Sequence, residues 1–177
     1  MTRRLNLSKA EVLLVGENAF SQDILSKVLQ GFGVRTLLRA GSAKAARARC
    51  TEQVLDLIFC DGEMAVEDGY DFVRWLRRAK LDPNSYVPVV VMATHTPTSK
   101  VGKARDCGAN FVIAKPIAPA VLLDRILWLT REQRPFIECS VYFGPERRFR
   151  DDGAPAEGER RQVRLAAAAL ELQRSTG

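Results

Sequence analysis

The sequence is short of the residues on which much enzyme chemistry depends. Its 177 residues include one histidine, His95. With no second histidine and no paired cysteines, there is no zinc site to read. No Ser-His-Asp or Cys-His arrangement is recognisable, which leaves hydrolase chemistry without support. The four cysteines, Cys50, Cys60, Cys107 and Cys139, are scattered, with neither metal spacing nor a disulfide framework. They are expected to be reduced, in a cytoplasmic protein. No apolar run approaches the roughly 18 residues of a membrane span. The longest, Val87 to Ala93, is strand length and contains Pro88. The basic start, Met1 to Arg4, leads into a polar stretch, so no signal peptide is expected. Lysine is scarce as well. It supplies seven of the 27 basic residues, arginine the other twenty, and no lysine follows Lys115. The formal charge of +6 is moderate and does not by itself identify a partner.

What is present alternates. Glu11 to Val15 reads as a buried strand stopped by Gly16-Glu17-Asn18. Phe20 to Gln30 carries Phe20, Ile24, Leu25, Val28 and Leu29 at helical spacing and ends at Gly31. Val34 to Leu38 is a second strand, and Ser42 suits the N-cap of a helix from Ala43 to Cys50. Leu55 to Cys60 is a third strand. Tyr70 to Ala79 is a helix with Phe72, Val73, Trp75 and Leu76 on its apolar side. Val87 to Met92, a weaker helix over residues 98–107, Asn110 to Ala114 and an amphipathic helix from Pro119 to Thr130 complete the series. Five strand–helix alternations predict βαβ crossovers and a parallel sheet covered on both faces. The expected class is α/β, a doubly wound, flavodoxin-type five-stranded sheet over residues 1–132. An arginine-rich extension over residues 133–177 is expected to follow, with an extended segment from Phe136 to Phe143 that Gly144-Pro145 breaks, and a helix from Glu159 to Arg174.

In such a sheet, ligands sit beyond the carboxyl ends of the strands. Those ends carry Gly16-Glu17, Asp61, Ala93-Thr94 and Lys115-Pro116. Glu17 and Asp61 are expected to form an acidic pocket with Lys115 beside it. Two carboxylates suit a hard cation such as Mg²⁺, and a lysine suits a phosphoryl oxygen. Asp61 after a buried strand, Gly69 beyond it, and Lys115-Pro116 preceded by Gly108-Ala109 resemble the receiver domain of two-component signalling, the CheY-like fold. The resemblance covers about three quarters of the chain. It implies that Asp61 is the phospho-acceptor position and Glu17 an acidic metal-site position, and that the Lys115-Pro116 bond is cis. Departures accompany the matches. Receivers usually have two adjacent acids after strand one, where Gly16 takes the first place. They usually end strand four with Thr or Ser, where Ala93 stands. Val112 occupies the strand-five position of an aromatic switch residue. A weak Mg²⁺ site on Asp61 and Glu17 is the most these residues promise. The expectation is a non-catalytic binding module. The alternative is a single-domain response regulator phosphorylated on Asp61.

The extension offers a different input. Arg147, Arg148 and Arg150 cluster with Tyr142, Phe143 and Phe149 after Gly144-Pro145, and Arg160, Arg161 and Arg164 follow. Acids nearly balance them, which speaks against a nucleic-acid adaptor. Arginine without lysine favours a planar, bidentate partner. It pairs with guanine O6 and N7 and clamps phosphate. Glu146, Asp151 and Asp152 are placed to accept from guanine N–H edges. A receiver followed by an aromatic-Gly-Pro-acid-Arg-Arg segment resembles the Cle group of CheY-like cyclic di-GMP effectors. That resemblance implies cyclic di-GMP as ligand and the flagellar motor switch as partner.

Overall fold

The computed structural model describes residues 7–94, 102–104, 106–131 and 134–147. Five strands, β1 (Glu11–Val15), β2 (Thr36–Ala40), β3 (Leu57–Asp61), β4 (Val89–Ala93) and β5 (Phe111–Ala114), form one parallel sheet in the order β2-β1-β3-β4-β5. Helices α1 (Ala19–Gly31), α2 (Ala43–Glu52), α3 (Gly69–Arg78) and α4 (Pro119–Leu129) cover it on both faces, as the alternation requires. Gly102 to Ala104 and Asp106 are helical between β4 and β5. The strand boundaries move by one or two residues from those expected, which alters no element.

The two faces divide each strand by parity, because successive side chains point to opposite sides. Leu13, Val15, Ile58, Cys60, Val89 and Val91 pack with α2 and α3. Val12, Leu14, Phe59, Val90, Met92 and Ile113 pack with α1 and α4. Side-chain caps start three helices: Asn18 accepts from Ser21 N, Ser42 from Ala45 N, and Asp68 from Asp71 N. In α1 the buried residues are Leu25, Ser26 and Leu29, while Phe20 and Ile24 stand in solvent. The helical period was legible, but its inward face is narrower than the apolar set.

The extension corrects one expectation. Gly144-Pro145 does not break the extended segment. It belongs to β7 (Phe143–Pro145), which pairs antiparallel with β6 (Phe136–Glu138), Phe136 opposite Pro145. A two-stranded ribbon tolerates proline at its end, where a missing N–H costs no ladder bond. This hairpin docks on the body. Tyr86, Phe136 and Phe143 meet edge-to-face, with centroids 5.3 and 5.5 Å apart from Tyr86, and Tyr142 is buried. At Gly108, φ is +91°, and a Cβ would lie 2.3 Å from Phe143 O. Only glycine permits both that backbone and that approach. The expected helix over residues 159–174 lies outside the described residues.

Candidate functional site

Asp61 is the last residue of β3, flanked by β1 and by Met92 of β4. Its backbone belongs to the central strand of the sheet, so its position is set by the two strands on either side rather than by a loop. The side chain is 11% exposed. Lys115, immediately beyond β5, places Nζ 2.5 Å from Asp61 Oδ2. Its backbone N–H donates to Ala93 O at 2.7 Å, and the Lys115–Pro116 bond is cis. Asp61 Oδ1 accepts from Glu63 N at 3.2 Å. The neighbouring Cys60 thiol is pushed well above its ordinary pKa by burial, with the Asp61 charge adding to the effect. It is a packing residue of the core and no nucleophile.

The remainder of the expected pocket is thin. Both Glu17 carboxylate oxygens accept from Ala65 N, at 3.0 and 2.9 Å, in the loop after β3. Glu17 thus ties β1's exit to that loop. Gly16 carries no side chain; a Cβ there would lie 3.4 Å from Asp61 Cβ. Gln22, from α1, fills the neighbouring space. Its amide donates to Gly16 O at 2.8 Å, Ala40 O at 3.1 Å and Leu14 O at 3.5 Å. Ala93 ends β4 opposite Ala114 and is fully buried, while Thr94 beyond it is exposed. No hydroxyl therefore ends that strand. Val112 is 39% exposed on β5.

These donors offer at most a weak Mg²⁺ site. The ion takes near-octahedral oxygen ligation through one or more carboxylates. Here one Asp61 oxygen is held by Lys115 and Glu17 is engaged by a backbone N–H. Among the described residues, no cluster of three or more ligating side chains is able to hold a metal ion. What Asp61 and Lys115 retain is an oxygen nucleophile with one positive charge beside it. Attack on a phosphoryl donor develops charge on several oxygens, and one lysine neutralises only part of that.

Of the nine tail residues expected to bind nucleotide, two fall within the described residues. Arg147 pairs with Asp106 and lies over the Tyr142 ring, 4.2 Å from its centroid. Glu146 N donates to Pro135 O at 2.9 Å. Arg148, Arg150, Asp151, Asp152, Arg160, Arg161 and Arg164 lie outside the described residues. The hairpin that leads to them sits at the starts of β4 and β5. Asp61 sits at a strand end, so the two are separated by about 15 Å, the length of a five-residue strand.

Sequence reading missed Arg77. It is fully buried in α3 and donates to Gly108 O, Ser85 O, Val87 O and Asn110 Oδ1 at 2.8–3.2 Å. Its guanidinium also lies 5.1 Å from the centre of the Phe136 ring. The signal was its spacing, four residues after Val73 and so on the inward face of the helix.

Comparison with known proteins agrees with this geometry. Residues 12–127 match the response regulator receiver domain family. Histidine kinase 1 of Arabidopsis thaliana is 32% identical over 76 residues, which is 43% of this chain and 6% of that protein. The chain therefore spans a small fraction of that relative's length. A chemotaxis response regulator of Vibrio cholerae superposes with a TM-score of 0.61 at 26% identity, over 67% of this chain and 97% of the other. The receiver domain of a Pseudomonas aeruginosa sensor histidine kinase, solved with a magnesium ion in its active-site cleft, gives 0.59 at 27% identity. It covers 67% of this chain and 93% of that one.

Proposed function

The chain belongs to the response regulator receiver family, and we propose that it is a receiver whose input arrives at the arginine tail rather than at Asp61. Receiver domains generally act as non-catalytic signalling modules that work through protein partners, and this reading keeps that role. The observation that carries it is the state of the pocket: Asp61 has Lys115 at 2.5 Å but Gly16 where a second acid belongs. An acyl phosphate on Asp61 would have a weakened hold on the metal that family chemistry relies on. The tail meanwhile offers arginine forks with interleaved acids, the set that grips guanine edges and phosphates together. Cyclic di-GMP satisfies both demands, and the partner is a protein such as the flagellar motor switch. The ligand shifts the protein toward whichever tail conformation it binds more tightly.

Calorimetric titration of the full chain with cyclic di-GMP tests this, with GTP and cyclic di-AMP as controls. Micromolar or tighter binding is expected, weakened about tenfold or more in Arg148→Ala. No binding, or binding indifferent to Arg148→Ala, rejects the tail as input. Truncation before the hairpin is a poor substitute, because Phe136 covers the buried Arg77 guanidinium.

The Asp61–Lys115 contact favours a second reading, phosphorylation on Asp61. Intact-mass spectrometry after incubation with acetyl phosphate and Mg²⁺ separates the two. Stoichiometric phosphorylation lost in Asp61→Asn would restore Asp61 as the input.

A further inference from the structure

A second concentration of arginine lies on the body itself. Arg47 of α2 and Arg74 and Arg78 of α3 line an open cleft of about 430 Å³ between these helices, with Glu67, Asp71 and Trp75. Arg74 and Arg78 stand one helical turn apart, where like charges repel. Two carboxylates against three guanidiniums leave the lining with one excess positive charge.

The partners of these arginines are incomplete. Arg47 pairs with Glu67 through one terminal nitrogen, and its Nε is buried without a hydrogen-bond partner. Arg74 meets Asp71 through one nitrogen at 2.6 Å. Arg78 donates to Ser140 O of the hairpin turn at 3.2 Å. Among the described residues these contacts leave most of the guanidinium donors unused. The Arg47 guanidinium lies over Trp75, 4.9 Å from the ring centre, and Phe72 stacks near the same ring at 6.2 Å.

We propose that this α2–α3 cleft is a binding site for a small phosphorylated ligand, gripped by Arg47, Arg74 and Arg78. Arginine forks match phosphate oxygens two at a time. A phosphate group reaches Arg47 through its terminal N–H groups, since Nε is closed to solvent. The volume is within the range of small-molecule sites. Neither Asp61 nor Arg147 lines the site, and it touches the hairpin through Arg78.

The test is nuclear magnetic resonance of the full chain, following the Arg47 Nε–Hε and Trp75 indole signals. Inorganic phosphate, pyrophosphate and guanosine monophosphate are titrated separately at about 0.15 M salt. Saturable shifts of both signals with pyrophosphate or the nucleotide are expected, with half-saturation below about 1 mM. The Arg74→Gln/Arg78→Gln variant should weaken them about tenfold or more, while Arg148→Ala leaves them unchanged. A response to inorganic phosphate as strong as to the nucleotide assigns the site to the phosphate group alone. A stronger response to the nucleotide assigns it to a phosphorylated metabolite. Shifts that never saturate, or that survive the double substitution in a protein with native circular dichroism, overturn the proposal.

Discussion

At the scale of single residues, two side chains carry consequences out of proportion to their number. Arg77 is a charge buried among neutral acceptors, and three backbone carbonyls depend on it. Arg77→Ala would orphan those acceptors and leave a cavity. A loss of about 3–5 kcal/mol is expected in urea unfolding. Arg77→Lys should recover little, since one ammonium cannot reach the positions that the planar fork spans. Gly16 is the counterpart, a missing side chain with room to restore it. A Cβ there would just touch Asp61. Gly16→Asp adds a second carboxylate beside the first, and calorimetry should record Mg²⁺ affinity at least about tenfold above the parent. Equal affinities would show that Gln22 or Lys115 blocks the ion instead.

At the scale of elements, α3 is held at its start by Asp68, which caps Asp71 N at 2.9 Å and receives Lys103 Nζ at 2.9 Å. Burial alone would raise the Asp68 pKa; Lys103 and the Asp71 N–H outweigh it and hold the carboxyl below its ordinary value. A depressed carboxyl stabilises the fold above its unfolded pKa of about 4 and loses that contribution as the pH falls through the lower folded value. Asp68→Asn keeps a capping side chain but no charge, so its melting temperature should fall slightly at pH 7, by an amount that shrinks as the pH drops below about 4. Asp68→Ala removes the cap too, at about 1 kcal/mol. The hairpin has its own weak point. Gly108→Ala would drive a methyl group into Phe143 O. Hydrogen exchange should then quicken at the Cys139 amide, which bonds Tyr142 O at 2.8 Å, with β1 and β3 unchanged.

At the scale of the whole molecule, the protein has two ends. Asp61 and Lys115 sit where the strands finish; the hairpin and the path to the tail arginines sit where β4 and β5 begin. A signal that enters at the hairpin and reaches Asp61 must cross the body. Arg77 is the physical link available, because it joins α3, both strand starts and the hairpin ring Phe136. The residues from Arg134 to Arg147 are part of the packed body, although the extension begins before them in composition.

The sequence by itself determined the α/β alternation, the parallel sheet and the placing of Asp61 and Lys115. Hydrophobic periodicity is local, and in a parallel sheet every strand end faces the same edge, so chain order alone converges those residues. The absences at Gly16 and Ala93 were legible for the same reason, since register from neighbouring strands numbers them. Only the tertiary structure decided where Glu17 directs its carboxylate, that Gln22 fills the space beside Gly16, and that Arg77 is buried. Each depends on contacts between segments distant in the chain, which periodicity does not encode. The Gly144-Pro145 pair makes the point most directly. Read locally it stops a strand; packed against Gly108 it is a strand, because the absence of a Cβ at both glycines lets two backbones meet.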